Sequence, residues 1–150
     1  MKIVATNRKA RHEYSIVETI EAGIALRGTE VKSLREGTVN LRDSYASLES
    51  GEVMLHNMYI GPYSHTSERH LDTRRDRKLL LHKQEIKRLI GKVREKGLTL
   101  VPLKLYFNDA GVAKIELALV KGKKTYDKRR DIAERDANRD LQRSLKDKNS

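Results

Sequence analysis

The feature that most constrains this chain is the point where its apolar residues stop. Through Val120, aliphatic and β-branched side chains recur in short runs; past Arg130 only Ile132, Ala133, Ala137, Leu141 and Leu145 remain. So few apolar residues cannot build a core, so the chain divides into a folded body and an appendage. The junction from Lys121 to Arg130 carries seven charged residues in ten, six of them basic. Three segments are expected: a basic arm over 1–12, a body over 13–120 and a basic tail over 121–150.

Inside the body, strand and turn signals alternate at short intervals. Strands are expected at Tyr14–Ile20, Ile24–Arg27, Thr38–Leu41, Ser44–Glu49 and Val53–Ile60, with Gly23 offering a bulge or bend. Ser50-Gly51 joins the fourth and fifth as a hairpin. A second hairpin, Leu98–Phe107 with Val112–Val120, turns at Asn108–Gly111, and Pro102 within it implies an edge or a bulge. Thr29 and Gly37 bracket a short helix over Glu30–Glu36, and Gly97 stops an amphipathic helix that begins near His82. Residues 63–77 read as a long polar loop. About six short strands and two helices, with no repeating βαβ order, predict a mainly β fold with flanking helices: a closed antiparallel six-stranded barrel of the oligonucleotide-binding kind. A ferredoxin-like α+β sheet is the runner-up.

The formal charge is +11 on 150 residues, with a pI near 9.9, which favours a polyanionic partner. With no cysteine, disulfides, thiolate nucleophiles and cysteine-based zinc sites are excluded, and a reducing cytoplasm fits. The amino-terminal residues lack the apolar core of a signal peptide, and no apolar run approaches a membrane span. The five histidines show no paired metal-ligand spacing, the serines no nucleophile elbow, and no glycine-rich phosphate loop is present. Basic residues instead form three groups beside aromatics or histidines: Lys2, Arg8, Lys9 and Arg11 near His12 and Tyr14; Arg69 to Arg94 near His65 and His70; and the tail near Tyr126. Cations supply salt-sensitive phosphate affinity and rings supply sequence-tolerant stacking. The tail holds eleven basic and six acidic residues, and Ala133, Ala137, Leu141 and Leu145 recur every fourth position, the pattern of a helix that forms on binding.

Six segments then resemble one known family. Asn7–Tyr14 (NRKARHEY), Glu21–Leu26 (EAGIAL), Gly28–Arg35 (GTEVKSLR), Arg77–His82 (RKLLLH), Gly97–Pro102 (GLTLVP) and Gly122–Arg129 (GKKTYDKR) are similar to the bacterial SsrA-binding proteins, also called small protein B, in unbroken order. The resemblance implies an oval barrel that binds transfer-messenger RNA (tmRNA) without catalysing a reaction, needs no cofactor, and delivers that RNA to ribosomes stalled without a stop codon. It implies RNA contacts at Asn7, Glu21 and Leu80, with basic neighbours Arg8, Lys9, Arg11, His12, Lys32, Arg77 and Lys78. A carboxylate such as Glu21 can accept hydrogen bonds from base amino groups. For the tail it implies that Lys123, Lys124, Tyr126, Asp127, Lys128 and Arg129 face the ribosome, in the vacant mRNA channel by the decoding centre and the small-subunit rRNA. Elongation factor Tu would join through the charged tmRNA, and the free protein would be a monomer away from membranes. Tyr126 departs from a His found in some members, and Ala137 from a Trp. The alternative is a structural ribosomal protein or a general single-stranded RNA-binding barrel.

Overall fold

The computed structural model describes residues 1–65 and 72–122. In chain order the described elements are β1 (Lys2–Thr6), α1 (Arg8–Glu13), β2 (Tyr14–Ile24), α2 (Gly28–Glu36), β3 (Val39–Asn40), β4 (Tyr45–Glu49), β5 (Glu52–His56), β6 (Tyr59–Ile60), β7 (Arg77–Leu80), α3 (Lys83–Lys96), β8 (Thr99–Phe107) and β9 (Ala113–Gly122). Six of the strands close on themselves antiparallel, in the order β8-β4-β5-β7-β2-β9 and back to β8. The expected six-stranded ring is therefore present. β8 makes closure possible because it is long enough to use both edges: β9 runs along one, while β4 and then β1 share the other.

Inward side chains of the ring form the main core, with Leu55, Leu105, Ile115 and Leu117 wholly buried. Each such side chain contributes about 1.5–3 kcal/mol through removal of apolar surface from water. α3 lays Leu89, Ile86 and Val93 against this core. Two of its cations, Arg88 at 2.7 Å and Lys92, bind the Glu18 carboxylate of β2. Their hydrogen bonds, Lys92 first, hold that carboxyl below its ordinary range.

Several expectations need correction. Residues 1–12 are not an arm: Lys2–Thr6 pairs with β8 as β1, and the following residues turn into α1. The Ile3-Val4-Ala5 run of β1 does not by itself reveal a strand, since β1 gains its partner from the far end of the chain. The first strand expected before Gly23 runs on through it to Ile24 as β2, whereas 25–27 of the second expected strand are not strand; the bulge of β2 falls between Ile16 and Glu18. The strand expected over Val53–Ile60 breaks at Asn57, whose left-handed φ of 65° separates β5 from β6. β7 lies where the polar loop was expected to give way to a helix, and it fills the gap between β5 and β2. Residues that behave as read include Pro102, beside a bulge in β8, and Gly37 and Gly97, which end α2 and α3 in left-handed conformation.

α2 begins at Gly28 rather than after a Thr29 cap, because Glu30 reaches back to accept the Arg27 N–H at 2.8 Å. The same buried carboxylate binds Arg75 and, at 2.7 Å, Arg77, which is itself 1% exposed and donates to the Met58 and Thr73 carbonyls. Burial pushes the Glu30 carboxyl up, but the hydrogen bonds from Arg75, the Arg27 N–H and Arg77 outweigh it and hold the group below the usual 4.5. This triad fastens α2 to β7. Removing one partner leaves an uncompensated buried charge, so Arg77→Met should destabilise the protein by about 3–5 kcal/mol in urea unfolding. Because the Glu30 value is depressed, its contribution is present above pH 4.5 and lost as pH falls through the folded value. The stability gap between wild type and Glu30→Gln should accordingly be flat above about pH 5 and close in more acidic solution.

Candidate nucleic-acid interface

Outward residues of β8 and β9 change character along the strands. At one end Val101, Leu103, Ala118 and Val120 point outward yet are buried, because Ala10 of α1 and Tyr14 cover them. Farther along, the surface turns polar. One cross-strand rung aligns Lys104, Glu116 and Glu21; the next aligns Tyr106, Lys114, Gly23 and Leu80. Gly23 has no side chain to fill its place in that rung, and a Cβ there would lie 3.2 Å from Leu80 Cβ. The outcome is an open groove of about 620 Å³ bordered by Glu21, Gly23, Leu80, His82, Glu85 and Lys114.

Leu80 stands on this surface, half exposed, where an apolar side chain can meet the face of an unstacked base or a ribose. Glu21 accepts a hydrogen bond from the Tyr106 hydroxyl, although the two lie 85 residues apart in sequence. Burial, and then the hydrogen bond to Glu21, push the Tyr106 hydroxyl above its ordinary value, so it stays a donor and fixes the carboxylate. Lys104 lies 5.7 Å above the Tyr106 ring and 3.5 Å from Glu116. Lys78, exposed and two residues before Leu80, pairs with Glu52 at 3.2 Å.

The helix α1 continues the same face. Its exposed residues include Arg8, Lys9, Arg11 and His12; Lys9 contacts Asp43 at 3.0 Å, and Arg11 reaches Glu116 at 3.3 Å. That last pair joins the helix to the charged rung beside Glu21. Asn7 is buried beneath it: Oδ1 caps the helix at the Ala10 N–H (3.1 Å), while Nδ2 donates to the Pro102 and Leu41 carbonyls at 3.0 and 3.3 Å.

The structure thus places Glu21 and Leu80 on one groove, links Arg11 to its charged rung through Glu116, and leaves Arg8, Lys9, His12 and Lys78 exposed on α1 and β7. Asn7 stands beneath α1 with its amide engaged by protein atoms. Arg77 is also set apart, and its inward direction follows from the alternation that turns Lys78 outward. Lys32 belongs to α2, where its ammonium lies 5.4 Å over the Tyr63 ring. Lys123, Lys124, Tyr126, Asp127, Lys128 and Arg129 fall outside the described residues, as do Arg69 and His70. Sequence reasoning missed Lys114, Tyr106 and Glu116, which join the site only through strand register. Among the described residues there is no metal-binding cluster of His, Asp and Glu, and no helix long and apolar enough to cross a membrane.

Because Asn7 is both cap and brace, Asn7→Ala should cost about 2 kcal/mol, the upper end for a helix cap, and should speed amide exchange in α1 more than in β9. Uniform exchange in both elements would contradict the bracing role.

The family model described as SmpB protein matches residues 4–147. Among curated relatives, the SsrA-binding protein of Moorella thermoacetica is 61% identical over 99% of this chain and 96% of its own length. That of Carboxydothermus hydrogenoformans is 61% identical over 97% of both chains, and that of Mycolicibacterium paratuberculosis 60% over 96% and 85%. A solved chain described as "tmRNA-SmpB: a journey to the center of the bacterial ribosome" superposes with a TM-score of 0.67 at 60% identity, covering 81% of this chain and 85% of that one. A match of this extent, on a fold of the same architecture, establishes that the chain belongs to the SmpB protein family.

Proposed function

We propose that this protein is a non-enzymatic RNA-binding adaptor that binds the tRNA-like domain of tmRNA and brings it to stalled ribosomes in trans-translation. The observation that carries this reading is its near full-length relationship to SsrA-binding proteins and to the chain solved under the tmRNA and ribosome description. The groove and the exposed cations of α1 suit a folded RNA. Arg8, Lys9, Arg11, Lys78 and Lys114 meet phosphates, Leu80 packs on an unstacked base or sugar, and Glu21 accepts from a base amino group. Asn7 and Arg77 act as positioning residues, one under α1 and the other behind β7. Lys32 extends the contact surface along α2.

The tail performs the ribosomal step. β9 ends at Gly122, opposite Tyr14 and next to α1. Lys123, Lys124, Tyr126, Asp127, Lys128 and Arg129 enter the empty mRNA path and meet small-subunit rRNA near the decoding centre. Elongation factor Tu arrives on the charged tmRNA. The protein works in the cytoplasm as a monomer, and its excess positive charge raises the rate of encounter with RNA.

Two measurements test this reading. A chain ending at Gly122 keeps all of β9; it should bind tmRNA within about fivefold of the full chain, while tagging of stalled peptides falls to background. No tmRNA binding by the full chain would sink the adaptor reading, and equal loss of binding and tagging would sink the division of labour. Within the groove, Tyr106→Phe should weaken tmRNA binding about three- to tenfold, yet add nothing once Glu21 is Gln, since both changes remove the same oriented acceptor. Additive losses would mean that Tyr106 does not act through Glu21.

A further inference from the structure

One basic group of the sequence has no part in either the groove or the tail: the cations of α3. Over Lys83–Lys96 the helix carries six basic and two acidic residues. Its underside is fixed, since Leu89 is wholly buried and Ile86 and Val93 pack on the core. Gly91, two residues past Leu89 and so about 200° around the helix from it, stands on the outer crest. Lys87 and Arg88 lie one turn before Gly91, and Arg94 and Glu95 one turn after it, all four exposed. Arg88 and Lys92 are tied to Glu18, whereas Lys87 and Arg94 have no ion-pair partner among the described residues.

Gly91 is the telling residue of this crest. Glycine inside a 14-residue helix weakens it, being the poorest helix former after proline. Nothing in the fold requires it there. Its φ is not positive, and a Cβ added to it would meet no atom within 4 Å. A bare α-carbon at such a position serves a ligand that comes up close to the backbone. The neighbours define that ligand: cations on either side of the gap and no apolar side chain on the crest. They suit an anionic sugar–phosphate chain and offer nothing to an apolar peptide.

The groove reaches this helix, for its border includes His82 and Glu85, the cap and first turn of α3. Arg88 follows Glu85 by one turn on the same side of the helix. A strand that leaves the groove past Glu85 therefore meets the crest next. Resting on the adaptor reading above, we infer that the crest of α3 is a second contact with tmRNA. The sugar–phosphate backbone lies across Gly91, and Lys87 and Arg94 take its phosphates. Such a contact reads no base; it fixes the direction in which the RNA leaves the groove. Glu95 is the one carboxylate of the crest and opposes the contact.

The test measures tmRNA dissociation constants of full-length variants over a series of salt concentrations, together with their thermal unfolding. Gly91→Ala and Gly91→Gln should each raise the melting temperature by about 2–4 °C, because both residues favour helix. The same changes should weaken tmRNA binding, about threefold for Ala and about tenfold for the larger Gln. A more stable protein that binds worse is a result no structural role for Gly91 would give. Lys87→Ala combined with Arg94→Ala should lower the slope of log K against log salt by about 1.4–1.8. Glu95→Gln should tighten binding about two- to threefold. Unchanged affinity of both Gly91 variants, or an unchanged slope of the double variant, overturns the proposal. A fall in melting temperature with Gly91→Ala also overturns it, since the glycine would then have a structural cause. Losses confined to purified small ribosomal subunits, with tmRNA binding intact, would assign the crest to ribosomal RNA and overturn it as well. Absence of tmRNA binding by the wild type would sink the adaptor reading first and this contact with it, and it shows before any substitution is made.

Discussion

The structure depends on β8 using both of its edges. A strand of nine residues hydrogen-bonds to β9 along one side and to β4 and β1 in succession along the other, which closes six strands into a ring. Closure removes the open edges that short strands would otherwise expose. It also fixes the rungs that bring Lys104, Glu116 and Glu21 into one line and Tyr106, Lys114 and Leu80 into the next. The bulge beside Pro102 belongs to the same design: proline cannot donate to a ladder, and its carbonyl is where Asn7 fastens α1. One strand therefore sets the core, the groove and the seat of the amino-terminal helix.

Charge acts on two scales in this protein. The overall excess of +11 creates a long-range attraction for polyanions, which needs no particular arrangement. Locally, many cations already have partners: Arg88 and Lys92 dock α3 on Glu18, Arg75 and Arg77 enclose Glu30, and Arg11 and Lys104 share Glu116. Arg75 and Arg77 are mainly structural, whereas pairs such as Lys9–Asp43 and Lys78–Glu52 are solvated and individually weak, so a phosphate can displace the carboxylate at little cost. The basic surface of the protein is thus smaller than its composition implies, and it is shaped by where acids stand beside it.

The fold was largely legible where local signals agreed. Ser50-Gly51, Asn108–Gly111, Gly37 and Gly97 mark turns and helix ends by backbone chemistry alone, and the hairpins and the two longer helices appear there. It was not legible at β1 and β7, because such short strands acquire their identity from partners distant in sequence. The site divides the same way. Basic residues of α1 were readable as a cluster because they are neighbours in sequence. Tyr106 and Lys114 were not, since neither carries a motif and only register brings Tyr106 to Glu21 and Lys114 to the groove.

What the sequence by itself determined was the division into an apolar body and a basic extension, the antiparallel β class and the attraction to a polyanion. These follow from composition and from periodicities of a few residues, which are local quantities. The tertiary structure alone decided which side chains of those segments face outward. Arg77 and Lys78 are adjacent and equally basic, yet one is sealed against Glu30 and the other lies on the surface. Asn7, polar and beside three cations, turned out to be the brace beneath them. Alternation along a strand and the direction of a helix cap depend on pairing partners, and these exist only once the ring has closed.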